Sequence, residues 1–448
     1  MENLSKEEFL KVFSSSFYKK VLNESLLSFK RAITKSEAKD LMYNAYKKLI
    51  RFDYYVSNPV EYIFLLKNEF VARIIPVFSL EDEAIYFYLC KRIEEDIANN
   101  RIPGTFGGWM LGNAIKTQEE DEIQYVFNSY NPWLWTKYWK EFQHYVYSNI
   151  DRYDYKYALK LDIANFYDSI NIDILSKKLY RICSKDKYEF IELIVYILKY
   201  WNRRFSSYSE NNVGIPQNEF GDQSRLLANV YLNEYDEKMY NICNKYNAMY
   251  SRYADDQIIL FDNEEDINNI MLFANEELRK LGLNINAGKT KKFTKEQLID
   301  YFAFIPLEHL EKKEFDIAAN MFFDMVEKYG DISDVRSDTF FRRCLSSGLD
   351  KFNNTNRNKI LSYVLTKDFI INSNVDYLCK IFKNLNEEEK RVFIMNLEKY
   401  YRIVKFNGFH YIIINFFKKA KLKDYYKKYS EEVSKNYVSL WRNKIRIY

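Results

Sequence analysis

The stretch YALKLDIANFYDSI, Tyr157 to Ile170, constrains the fold of this chain more than any other. Its first half alternates: Tyr157, Leu159, Leu161 and Ile163 share one face of an extended strand, and Ala158, Lys160 and Asp162 share the other. One face is expected to pack and the other to stay open to something wet and charged. A carboxylate at the end of an apolar strand is costly unless it is paired or holds a metal. Asp162 therefore needs a partner elsewhere in the chain, and the aromatic pair Phe166-Tyr167 just beyond it needs a reason.

With only 11 Gly and 6 Pro among 448 residues, a many-turned all-β fold is disfavoured and long helices are expected. The length suits two or three domains, at roughly 150 residues each. Cys90, Cys183, Cys243, Cys344 and Cys379 show no paired spacing, and three histidines are too few for the usual zinc sites, which points to a reducing, cytoplasmic setting. No N-terminal signal pattern is present, and Glu192 and Lys199 interrupt the most apolar run, so the chain is expected neither to be secreted nor to span a membrane. The net charge of +4 is unevenly spread: residues 401–448 hold 12 Lys and Arg against 3 Asp and Glu. That end, with KKAKLKDYYKK and Trp441, is either a phosphate-binding surface or a solvated helix face.

The first 50 residues read as two helices, the first capped by Ser5. EFVARIIPVFSLEDEAIYFYLCKRIEEDI reads as a strand, a break at Pro76 and a helix from about Leu80, with Ser79 and Asp82 near its start. Arg73 shares a strand face with Val71 and Ile75, and its planar fork suits either a phosphate or a surface ion pair. Residues 100–150 read as irregular, aromatic and glycine-bearing. A helix follows near Ser224, with Leu226, Leu227, Val230, Tyr231, Tyr235 and Met239 at helical spacing. NAMYSRYADDQIILFD reads as strand, tight turn, strand, and a helix and a short strand come next. The whole suggests an α+β layer with helices against one face of an antiparallel sheet, and helices almost throughout after residue 305.

The turn at Asp255-Asp256 supplies the partner that Asp162 requires. Any one of these acids has a plainer reading as a helix or turn cap. Three carboxylates at one sheet edge, however, repel strongly unless divalent cations sit between them. Hard oxygen ligands suit Mg²⁺, with Mn²⁺ as an alternative, and Mg²⁺ shares its shell with substrate phosphates. Two such ions about 3.5–4 Å apart serve an in-line displacement of pyrophosphate, that is, nucleotidyl transfer.

In this sequence LDIANFYDSI resembles the first palm motif of reverse transcriptases, VGIPQ with SRLLANVYL the second, YADD the third and LGLNINAGKTKKF the fourth, all in the family's order. RIIPVFSLEDEAIYFYLCKRI is similar to the family's fingers strand and helix, so the likeness covers about residues 60–300. The resemblance implies an α+β right-hand palm and fingers followed by an all-helical, repeat-like C-terminal domain. The expected segments are an N-terminal helical part (1–60), fingers (61–155), palm (156–305) and a helical domain with a basic end (306–448). It makes Asp162, Asp255, Asp256 and Lys289 catalytic and puts all three acids at the metal, Asp162 and Asp255 as ligands and Asp256 as the adjacent acid. Tyr167 falls where an aromatic ring stacks under the deoxyribose and leaves no room for a 2′-hydroxyl. Ile163 and Gln217 line the nucleotide pocket, Arg73 grips the triphosphate, and Lys289 protonates or binds the departing pyrophosphate. One departure stands out: Asn218 follows Gln217 where the family has Gly, and NEFGDQ makes this template-side loop two residues longer.

The helical extension resembles that of bacterial abortive-infection enzymes. This implies antiphage defence and polymerisation of dNTPs into a DNA product, in some members without template and from a tyrosine of the protein itself. With 40 tyrosines, no primer is singled out. Three alternatives remain: a conventional enzyme copying a dedicated non-coding or retron-type RNA, a catalytically silent palm that only binds nucleic acid, and an RNA polymerase, which Tyr167 disfavours. Homo-oligomers are common in the group.

Overall fold

The computed structural model describes residues 4–20, 24–31, 33–67, 70–116, 123–126, 130–132, 134–202, 209–219, 222–329 and 335–444. The chain forms two compact units. One comprises Met1–Ser25, Ile33–Tyr62 and Ile75–Lys295, the other Leu26–Ala32, Ile63–Ile74 and Glu296–Tyr448. Residues 63–74, inside the expected fingers segment, thus group with the C-terminal helices.

In chain order the strands are β1 (Glu61–Leu66), β2 (Ala72–Val77), β3 (Thr105–Phe106), β4 (Asn113–Lys116), β5 (Ile123–Val126), β6 (Tyr157–Asp162), β7 (Met249–Tyr253), β8 (Asp256–Phe261) and β9 (Lys291–Thr294). β1 pairs with β2 and β4 with β5, and the other five make one sheet in the order β3-β7-β8-β6-β9. The neighbours in this sheet are antiparallel except β3 and β7, which are parallel, so the sheet is mixed rather than antiparallel throughout.

β6 is interior, flanked by β8 and β9, and this closes the face that alternation left open: Ala158, Lys160 and Asp162 are 1%, 7% and 4% exposed. Pro76 lies within β2 and does not break it. A two-stranded sheet has only edge strands, where a missing N–H is tolerated. Helix α1 (Leu80–Asn99) starts where expected, with Ser79 Oγ accepting from the backbone of Asp82 at 3.0 Å.

Residues 134–153, expected to be irregular, form helix α2 (Leu134–Tyr153). Leu134, Tyr138, Phe142, Val146 and Ile150 make a buried stripe at four-residue spacing, masked in the sequence by interleaved aromatics. Among the described residues the N-terminal part holds four α-helices, Lys6–Lys11, Ser15–Lys19, Ser28–Arg31 and Lys35–Ile50, rather than two. Ser14 and Thr34 each cap a new start there. A single-turn helix α3 (Phe166–Ser169) follows β6, and helices α4 (Asp222–Lys245) and α5 (Glu264–Lys280) complete the layer. All six α4 residues expected on its apolar stripe are buried.

The second unit is helical from Glu296 onward, ending in helices Asn407–Lys419 and Lys423–Lys444. Part of the basic C-terminal charge is spent on this unit's own acids, Lys428 on Glu398 at 3.0 Å and Lys419 on Asp376. Among the described residues no helix is long and apolar enough to cross a membrane.

The largest charge buried in the first unit is Arg252 on β7, fully enclosed with Asp236 of α4. Its Nε and Nη2 donate to Asp236 Oδ1 and Oδ2 at 2.7 and 2.6 Å. Breaking such a pair strands a charge. Asp236→Asn is therefore expected to cost about 3–5 kcal/mol of stability, measured by urea denaturation, whereas a substitution at the exposed Glu237 changes little.

Candidate active site

The sheet register places Asp162 opposite Asp256 on neighbouring strands. Asp255 lies in the turn between β7 and β8, directly after Ala254, whose φ of 54° is left-handed. The three carboxylates expected to meet do meet, and two lysines join them. Lys289 Nζ donates to Asp162 Oδ1 at 2.9 Å, and Lys160 Nζ pairs with Asp256 Oδ1 at 2.9 Å. Asn286 Nδ2 donates to the other Asp162 oxygen at 3.0 Å, and its backbone N–H donates to Asp162 O at 2.8 Å. The segment before β9 is thereby stitched to the end of β6.

Asp255 has no such relief. Burial, then the charges of Asp256 and Asp162, push its carboxyl above the usual range, against a weaker pull from its own backbone N–H and from Lys289. At Lys289 burial works the other way, but the hydrogen bond to Asp162 and the charges of the three acids outweigh it and raise the ammonium's pKa. Among the described residues no group of three or more His, Cys, Asp or Glu is spaced as a ready metal cage. The chemistry of the donor set still fits a divalent cation completed by substrate oxygens. Asp255 faces two like charges that a cation would offset, and the Lys289 side chain whose ammonium pairs with Asp162 is 60% exposed.

Tyr167 is half-buried on α3, and its position is fixed through the backbone. Ile215 N donates to Tyr167 O at 2.9 Å and Gly214 N to Ile170 O at 2.8 Å. Gly214, at φ 93°, sits where a Cβ would lie 3.3 Å from Asp168 O. This brings the loop that carries Gln217, itself half-buried, to the ring. The Ile163 side chain is 2% exposed and its backbone bridges to Ile285, so only its main chain is left for a ligand. Arg73 is exposed on β2, in the segment that groups with the second unit. Sequence reasoning missed Lys160, Asn286 and Glu83. The Glu83 carboxylate accepts from Asn218 Nδ2 at 3.1 Å and Gln223 Nε2 at 2.8 Å, clamping both ends of the lengthened loop. Nothing local in the sequence marks these three, because their partners lie 96 to 140 residues away.

Because the Asp255 carboxyl is raised by folding, ionising it costs stability. Asp255→Asn is expected to raise the metal-free Tm at neutral pH. The gain disappears in acid, where the carboxyl is neutral in both folded and unfolded states. Mg²⁺ is expected to raise the wild-type Tm and to leave that of the variant nearly unchanged, both read by thermal denaturation at several pH values.

Residues 122–313 match the family described as "Reverse transcriptase (RNA-dependent DNA polymerase)". Over 116 residues the chain is 32% identical to the retron Ec83 reverse transcriptase of Escherichia coli, a match covering 25% of this chain. The chain spans about a third of that relative's length, 34%. Two solved structures of apo telomerase from Candida tropicalis align as well. The form truncated from the C-terminal domain has 12% identity and a TM-score of 0.35, covering 58% of this chain and 56% of that one. The other has 11% identity and a TM-score of 0.33, covering 58% and 50%. The part of the chain that carries Asp162, Asp255, Asp256, Tyr167 and Lys289 is thus the part that is similar to the reverse transcriptase family.

Proposed function

We propose that this chain is an RNA-directed DNA polymerase that adds dNTPs to a growing DNA strand, acting in bacterial antiphage defence. The observation that carries the reading is the meeting of Asp162 and Asp255 at one sheet end, with Tyr167 on the segment that leaves it. The retron enzyme among the relatives supports a dedicated RNA as template and partner.

Asp162 and Asp255 would hold Mg²⁺ or Mn²⁺, which would supply charge stabilisation for the attacking and leaving oxygens. Asp256 stays on Lys160 and sets the edge of the site. Lys289 leaves Asp162 for the triphosphate, placing a proton and a positive charge beside the leaving group. The Tyr167 ring lies under the sugar and excludes a 2′-hydroxyl. The backbone at Ile163 and the Gln217 side chain border the nucleotide.

A second reading, untemplated synthesis primed by a tyrosine of the protein, is favoured by the helices that follow Glu296 in the second unit. Incubating the protein with Mg²⁺ and labelled dNTPs, with and without an RNA template and DNA primer, separates the two. Label that stays on the protein without template supports the second, and extension of the added primer alone supports the first. In either case Asp255→Asn is expected to lower kcat by at least about 10²–10³-fold. Tyr167→Ala is expected to raise ribonucleotide use by about 10²-fold. Unchanged sugar preference in that variant would remove Tyr167 from its role.

A further inference from the structure

Two lysines pair with carboxylates of the site, and the sheet holds them very differently. Lys289 lies on the segment before β9 with its side chain 60% exposed, and its partner Asp162 is also served by Asn286. Lys160 is built into the sheet. Its backbone is paired on both sides, opposite Ile258 of β8 and Lys291 of β9, and its side chain is only 9% exposed. In this register Asp256, two residues before Ile258, is its diagonal neighbour on the same face. Among the described residues Asp256 is also its one ion-pair partner, with Nζ 2.9 Å from Oδ1.

An ammonium buried to that degree cannot leave its carboxylate without standing unpaired away from water, whereas an exposed one exchanges its partner for solvent at little cost. Lys291, opposite on β9, offers a like charge and no alternative. The two pairs therefore respond differently to a cation at the end of the sheet. Asp162 can exchange Lys289 for it, and Asp256 cannot exchange Lys160. The carboxylates on which a cation can draw are then Asp162 and Asp255. Mg²⁺ suits such a site, because it binds through about one or two carboxylates and takes the rest of its shell from water and substrate phosphates. Ca²⁺ collects about six to eight oxygens and is better served by a third carboxylate.

We propose that Lys160 is a positioning residue that holds Asp256 out of the cation's shell. It limits the site to two carboxylates, so that Mg²⁺ binds firmly only together with triphosphate oxygens and Ca²⁺ is disfavoured. This assignment rests on the polymerase reading for the place of the cation.

Thermal denaturation without nucleotide, over a range of Mg²⁺ or of Ca²⁺, gives the affinity of each cation for wild type, Lys160→Met, Asp255→Asn and the double variant Lys160→Met/Asp256→Asn. Lys160→Met is expected to have a lower metal-free Tm, because Asp256 loses its counter-charge. It is expected to bind Mg²⁺ about 10-fold tighter, with a larger gain for Ca²⁺. The double variant, which removes the acid as well, is expected to return both affinities to the wild-type level. A lysine that merely supports the fold would move the metal-free Tm and leave both affinities alone, and that result overturns the assignment. An equal gain for the two cations, the mark of a long-range charge without a new ligand, overturns it too. If Lys160→Met does not fold, the double variant strands no charge and decides by itself. Wild-type affinity there keeps Asp256 outside the shell, and a loss as large as that of Asp255→Asn puts it inside. A wild type that responds to Mg²⁺, beside a Lys160→Met that responds no more strongly, overturns the role of Lys160 alone. A wild type that responds to neither cation, with or without dNTP, overturns the polymerase reading and the assignment with it.

Discussion

The buried pair between Arg252 and Asp236 is the constraint on which the carboxylate turn depends. Both side chains are fully enclosed, and both Asp236 oxygens are taken by the guanidinium, with Tyr250 adding a 2.8 Å hydrogen bond. Such a pair adds little net stability over well-packed apolar residues, because desolvation offsets most of the attraction. What it adds is geometry. The remaining nitrogen, Nη1, donates to Asn229 Oδ1 at 3.0 Å and to Ala254 O at 2.7 Å. Ala254 is held in the left-handed region, a costly conformation for a residue with a Cβ. Its carbonyl is gripped by a cation that cannot move without unpairing Asp236, so the backbone leading into Asp255 has one arrangement.

On that fixed turn the three acids are not equivalent. Lys160 neutralises Asp256 from within the sheet, and Lys289 with Asn286 satisfies Asp162 from the β9 side. Asp255 is left to face two like charges. The repulsion is concentrated on one group at the open end of the sheet, where a cation and a triphosphate would relieve it. Deeper in the sheet the buried charge of Arg252 is neutralised by Asp236 of α4.

The strand, turn and strand around Asp255 were legible because period-two alternation and the acid pair at the turn are both local signals. The same locality explains the errors. Whether Lys160 faces water depends on β6 being interior, which follows from the pairing of β9 more than 130 residues later. Pro76 looks like a break until β2 is known to be an edge. Helix α2 was hidden because aromatic residues lie on its outer face as well as in its buried stripe, Trp135 and Trp139 among them, blurring the period. Asp162, Asp255 and Asp256 were readable as acids brought to one sheet end, whereas the groups that position them were not. Arg252 meets Asp236 across 16 residues and Asn286 meets Asp162 across 124, with no spacing rule to announce either.

The lengthened loop after Gln217 shows how a departure from a family pattern can be absorbed. Extra residues beside a nucleotide pocket should loosen it, since a longer loop has more conformations to lose. Here Asn218 and Gln223, at the two ends of the addition, are both tied to Glu83 on the first turn of α1. The extra length is pinned at both ends, so the disturbance stays between the pins. Upstream, the backbone bond from Ile215 to Tyr167 is untouched by it. The Tyr167 backbone is therefore held by this contact, while its ring rests 5.5 Å from that of Phe166 and packs on the core. On the proposed function, the size of that ring can change without moving its backbone, so sugar choice would be separable from the loop after Gln217.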